Sequence, residues 1–169
     1  MRIRDWYWQG WERGESGDFR YTGEYYTLPE GRPKAVTTAL SGALCVLYLL
    51  TAVFPSAGGM WRFAAVPQLL ELIPLIYLVI GEVCLLKAGS PMAFRDWYAS
   101  WRRMRVSAAW SLGVTGAMAL VQLAYFFAAE EFDAGPELFY LARILGCAAL
   151  SFGLYRYMSS HPCSQSLSE

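Results

Sequence analysis

Glu71 and Glu82 stand eleven positions apart in a stretch that carries no other charge between Arg62 and Lys87. Eleven residues make about three helical turns, so both carboxylates project from nearly one helix face, about 16 Å apart along the axis. At that separation they cannot work on one bond as a catalytic pair. They can bind a cation, relay a proton or pair with a base. Arg143 and Gln122 lie in two further apolar stretches, and counting residues inward from the stretch ends brings Glu71, Gln122 and Arg143 to within about one turn in depth. A Glu71–Arg143 ion pair is the expected arrangement, because either charge alone in hydrocarbon is costly. Only Lys87 or Arg156, reaching in from the ends of their stretches, could answer Glu82. The layer is then either a buried pair that fixes helix register or part of a polar path.

Other chemistry finds little support. No GxSxG, HExxH, P-loop or GxGxxG motif occurs, and Ser41, Ser107 and Ser111 have no histidine in the apolar stretches, since His161 sits in the C-terminal tail. Cys45, Cys84, Cys147 and Cys163 form no CxxC and read as packing residues. The sequence therefore assigns no catalytic residue, no cofactor and no metal ligand, and an enzyme is not expected. With 14 basic and 14 acidic residues the net charge is zero, and nothing marks a nucleic-acid footprint.

The elements that must position these residues are four apolar stretches, 35–54, 63–86, 106–129 and 138–157. Each holds the roughly 20 residues needed to cross about 30 Å of hydrocarbon. With 56% apolar and 17% charged residues, the chain is more apolar than a typical soluble domain. Four helices that are apolar all round would leave no polar face for water. The expected fold is all-α: an integral membrane four-helix bundle in a lipid bilayer, with an N-terminal aromatic and basic segment (1–34), a transmembrane domain (35–158) and a flexible tail (159–169). Lysine and arginine gather before the first stretch and between the second and third, so both termini are expected on the cytoplasmic face of a plasma (inner) membrane, with the first span an uncleaved anchor. The acidic residues Glu130, Glu131, Asp133 and Glu137 then fall in the outer loop after the third stretch.

Within the third stretch Ser107, Ser111, Thr115 and Ala119 recur at strict i, i+4 spacing toward Gln122, a stripe of small residues that lets a second helix approach. Two Arg-Asp-Trp-Tyr segments begin at residues 4 and 95. They lie 91 residues apart, whereas aligning the first and third stretches needs about 70, so a shared interfacial chemistry explains them better than a duplication. Trp6, Trp8, Trp11, Trp97, Trp101, Arg102 and Arg103 are the expected headgroup-level anchors. Residues 19–34 read as a turn or hairpin leading into the first span. Two functions follow. The first is an accessory or interaction subunit of a membrane complex, with its aromatic and basic inner face as the docking surface. The second is a small oligomeric transporter or channel with a path lined by Glu71, Glu82, Gln122 and Arg143. Either implies a second copy or a membrane-protein partner.

Overall fold

A computed structural model describes residues 11–13, 19–21, 23–53, 56–129 and 133–167. In chain order the elements are β1 (Trp11–Arg13), β2 (Phe19–Tyr21), β3 (Glu24–Thr27), α1 (Pro33–Val53), α2 (Ala57–Met60), α3 (Arg62–Lys87), β4 (Met92–Ala93), α4 (Phe94–Trp97), α5 (Arg103–Ala128), α6 (Ala134–Ser160) and β5 (Ser164–Leu167). A π-helical turn, Tyr98–Arg102, joins α4 to α5 without a break. Four helical segments, beginning at Pro33, Phe63, Phe94 and Ala134, are long and apolar enough to cross a membrane, as the sequence predicts.

Short connections make successive long helices antiparallel. Each packs against the next, and α6 returns to α1, which closes a four-helix ring. The seam on α6 runs through the buried Glu137, Tyr140, Ile144, Cys147, Ser151, Leu154 and Met158, with Arg143 buried beside it, and on α5 it runs through Trp101 just before the helix, then Met104, Ala108, Ser111, Thr115, Met118 and Gln122. Both runs alternate steps of three and four, which is the seam spacing of helices that pack at a shallow angle. On α3 the same spacing links Glu71, Leu75, Leu78, Glu82 and Leu85. A strict i+4 stripe drifts about 40° per step from this seam. Ser107, Ser111 and Thr115 are accordingly buried, whereas Ala119 is only half-buried. Large apolar side chains such as Leu69, Ile76, Trp110 and Phe127 point away from the bundle.

The end of the bundle where α1 begins and α6 ends, here the sheet end, is not all-α. β3 runs between β4 and β5, antiparallel to both, with Tyr26 opposite Met92 on one side and Gln165 on the other. This corrects two expectations. The segment after residue 19 is no self-contained hairpin, because β2 pairs with β1 (Arg20 opposite Glu12) while β3 recruits strands from elsewhere in the chain. The fold is also not wholly helical, because past α6, which runs to Ser160, residues 164–167 supply an edge strand.

The second Arg-Asp-Trp-Tyr segment packs against this sheet. The Trp97 ring stacks on Tyr26 at 4.4 Å and 11°. Tyr21 Oη accepts the Phe94 N–H at 3.1 Å and donates to the Glu24 carbonyl at 3.0 Å. Trp101 is 2% exposed, packed in the core with Leu85, Met92 and Met104. It is therefore not a headgroup anchor: the π turn places Ser100 and Trp101 inward. Arg102 and Arg103 lie over the rings of Tyr98 and Tyr77, at 4.6 and 5.7 Å from their centroids. Trp6 and Trp8 lie outside the described residues, and Trp11 enters only through the backbone of β1.

Candidate functional site

The polar residues of the bundle sit on its seams and gather at three levels. The level nearest the loop end, opposite the sheet, begins with Ser56, which caps α2 by accepting the Gly59 N–H at 2.9 Å. That turn presents the Gly58 N–H to Glu137 Oε1 at 2.9 Å, while Gln122 Nε2 donates to Glu137 Oε2 at 2.7 Å. Glu137 is 1% exposed, so it is a core residue and not one of the solvated loop acids. A Cβ at position 58 would stand 2.5 Å from Glu137 Oε2 and 2.7 Å from Gln122 Oε1, which only glycine avoids. Gln122 thus belongs to Glu137 and not to a layer with Glu71 and Arg143.

In the middle level Ser111 Oγ donates to Glu71 Oε1, and Ser151 Oγ lies 2.9 Å from Ser111 Oγ. Donation from Ser151 to Ser111 and on to Glu71 gives each hydroxyl one acceptor. Glu71, at 1% exposed, is held by Ser111 directly and by Ser151 of α6 only through Ser111. The expected Glu71–Arg143 ion pair does not form. The Arg143 guanidinium lies over the Tyr140 ring, 4.8 Å from its centroid, a cation–π contact one turn along the same helix. Arg143 is 4% exposed, and its Nε and Nη2 have no hydrogen-bond partner. Glu71 Oε2, Gln122 Oε1 and Tyr140 Oη are likewise buried and unpartnered. On α1, Tyr48 Oη donates to the Gln68 carbonyl at 2.6 Å, in the stretch of α3 between Pro67 and Pro74.

At the sheet-end level Thr38 donates to Glu82 Oε1, and Ser41 Oγ lies 3.2 Å from Glu82 Oε2. Both hydroxyls also reach carbonyls of α1, Lys34 O at 2.7 Å and Thr37 O at 2.8 Å, the backbone acceptors available to serine and threonine in an apolar helix. Lys34 Nζ donates to the Ala88 carbonyl at 2.7 Å and so binds the C-terminal end of α3 to the start of α1. Neither Lys87 nor Arg156 meets Glu82. Between this level and Glu71 the seams carry Leu44, Leu75, Leu78, Ala108 and Leu154, an apolar layer across the bundle. Glu71 and Glu82 are about 16 Å apart along α3, and Ser111 and Gln122 are as far apart along α5, so the three levels span about the thickness of a hydrocarbon core.

The sequence does not single out Gly58, Tyr140, Thr38 or Ser151, and it places Glu137 in the outer loop and gives Ser41 no partner. One signal for Glu137 and Ser151 was present: the alternating three-four spacing through Tyr140, Ile144 and Cys147 extends back to Glu137 and forward to Ser151. Nothing local identifies Gly58, whose role depends on a residue 79 positions away.

The fold and site together define a helical bundle of four potential membrane spans with a polar interior. No family model, no curated protein and no solved structure matches the chain.

Proposed function

We propose that the chain is a small multi-pass membrane protein that passes a proton or another small ion through its polar interior, with both termini on the cytoplasmic side and more than one copy in the working assembly. One observation carries this reading: five side-chain atoms of Glu71, Gln122, Tyr140 and Arg143 are buried without a partner. Leaving such atoms unpaired costs about 1–3 kcal/mol each, more where charge is involved, and a merely structural layer would be expected to satisfy them. Intramembrane ionisable groups mark ion and proton pathways. The apolar layer around Leu75 and Leu78 would be the barrier that the ion must pass.

Reconstitution tests it. Vesicles holding a pH-sensitive dye, with the membrane potential clamped, should show proton flux for the wild type. Glu71→Gln and Arg143→Leu should each lower that flux at least tenfold. Wild-type vesicles that keep proton, sodium and potassium gradients intact would sink the proposal.

A second reading, an accessory subunit without transport, has its own support in the apolar layer that closes the single bundle between Glu71 and Glu82. The docking face first expected for it is reduced, because Trp101 packs in the core and the half-buried Trp97 is stacked on Tyr26. Co-purification of a stoichiometric foreign membrane subunit, with no flux from the isolated chain, would establish it. Neither reading involves enzymatic catalysis.

A further inference from the structure

On the outer side of the seam between α3 and α5 lies a groove of about 540 Å³, within the range of small-molecule sites. Its walls are Ile73, Pro74 and Tyr77 of α3 and Tyr98, Arg102, Arg103, Val106, Ser107 and Trp110 of the α5 segment. The helices close on each other on either side of it. Toward the sheet end Gly81 packs so tightly on α5 that a Cβ there would stand 2.6 Å from Met104 Cγ, and toward the loop end Ser111 reaches Glu71.

The groove has two chemically distinct ends. Tyr98, Arg102, Val106 and Trp110 recur every four residues along one wall, so the charged end lies toward the sheet and Trp110, 64% exposed, toward the bundle middle. Among the described residues no acidic side chain lines it. Among the described residues neither Arg102 nor Arg103 has a carboxylate partner, and each guanidinium is instead set over a tyrosine ring. Two fixed positive charges above an aromatic and aliphatic trough match an amphiphile with an anionic head and a hydrocarbon tail. A guanidinium pair suits phosphate in particular.

We infer that this groove binds one anionic phospholipid, its phosphate on Arg102 and Arg103 and an acyl chain along Ile73, Val106 and Trp110. This rests on the membrane setting proposed above, with the sheet end at a leaflet rich in anionic lipid, but not on transport.

Native mass spectrometry of the purified full chain, exchanged into mixed micelles of phosphatidylglycerol and phosphatidylcholine, tests the site. The wild type should retain one phosphatidylglycerol in preference to phosphatidylcholine. Replacing both arginines, Arg102→Gln with Arg103→Gln, should weaken that retention about tenfold or more, given about 1 kcal/mol per basic residue near an anionic surface. The Arg102→Lys, Arg103→Lys pair should recover part of it, and Trp110→Ala should weaken it with both charges in place. Helical circular dichroism and a monodisperse elution profile establish that each variant is folded. Equal loss from the control pair Lys87→Gln and Arg105→Gln would reduce the effect to general surface charge and overturn the site. Equal retention of both lipids, or displacement of phosphatidylglycerol by inorganic phosphate, would overturn it too. Carbonate extraction separates the underlying premise: a chain released from membranes by carbonate fails the membrane reading itself, whereas an embedded chain without lipid preference fails only this inference.

Discussion

Gln122 of α5 donates a 2.7 Å hydrogen bond to Glu137 of α6, and the same carboxylate accepts the Gly58 N–H from the turn between α1 and α3. Three separate parts of the chain meet on one buried side chain at the loop end of the bundle. Removing the carboxylate leaves two donors unpaired in a place where water cannot serve them.

Glu137→Ala should therefore lower stability by about 2 kcal/mol or more. Gly58→Ala should be comparably harmful through overlap with the same carboxylate, at about 1–3 kcal/mol. Glu30→Ala, at an exposed carboxylate ahead of α1, serves as the reference. Thermal melts in detergent read all three, and a Glu137→Ala protein melting with wild type would remove the buried cluster.

The middle level lends itself to double-mutant cycles. Glu71 is bonded to Ser111 and forms no ion pair with Arg143. The Glu71→Leu, Ser111→Ala cycle should show a coupling of about 1 kcal/mol, in the range of hydrogen bonds between membrane helices. The Glu71→Leu, Arg143→Leu cycle should show less. A reversed order, with Arg143 the stronger partner, would restore the ion pair.

At the sheet end, burial and then the neighbouring Glu24 carboxylate push the Tyr26 hydroxyl from 10.0 up to about 12. Tyr26 Oη donates to Glu24 Oε2 at 2.8 Å, a bond that exists only while the phenol keeps its proton. Because the folded value lies above the unfolded one, this contribution to stability is complete below about pH 10 and is lost as the pH rises toward 12. Tyr26→Phe should melt with a weaker pH dependence than wild type across that window. Tyrosinate absorbance should lose its latest-titrating component in the variant. Identical pH profiles for the two proteins would contradict the assignment.

The Cys163 thiol is pushed by burial from 9.0 up to about 11, against a smaller opposing contribution from Trp97. At neutral pH its thiolate fraction is then about a hundredfold below that of an ordinary thiol. In a protein whose other three cysteines are replaced by serine, maleimide should label Cys163 about a hundredfold more slowly before denaturation in dodecyl sulfate than after. Equal rates would mean that the tail is not seated beside Trp97.

The long helices were legible because each needs only local information. A run of about 20 apolar residues has to bond its own backbone, and its length sets what it can cross. Glu71, Glu82, Gln122 and Arg143 were legible as buried for the same reason, and the structure buries all four. Their partners were not. Which carboxylate meets which base depends on how far one helix is shifted along its neighbour, and a shift of a single turn, about 5.4 Å, exchanges one partner for another. Counting from helix ends was too coarse to distinguish Glu71 from Glu137 as the partner of Gln122.

The sheet was hidden for a different reason. β3, β4 and β5 are two to four residues long, and β3 finds its partners in residues 92–93 and 164–167, far along the chain. Strands that short carry no readable alternation, and they exist only because the bundle brings their flanking segments together. The sequence by itself determined four apolar helices and a polar interior, because hydropathy and length act within each segment. Only the tertiary structure decided that Glu137 anchors the loop end, that Arg143 lies on Tyr140 and not on Glu71, and that Trp101 turns inward, because those outcomes depend on axial shift, on one π turn and on contacts between segments distant in the chain.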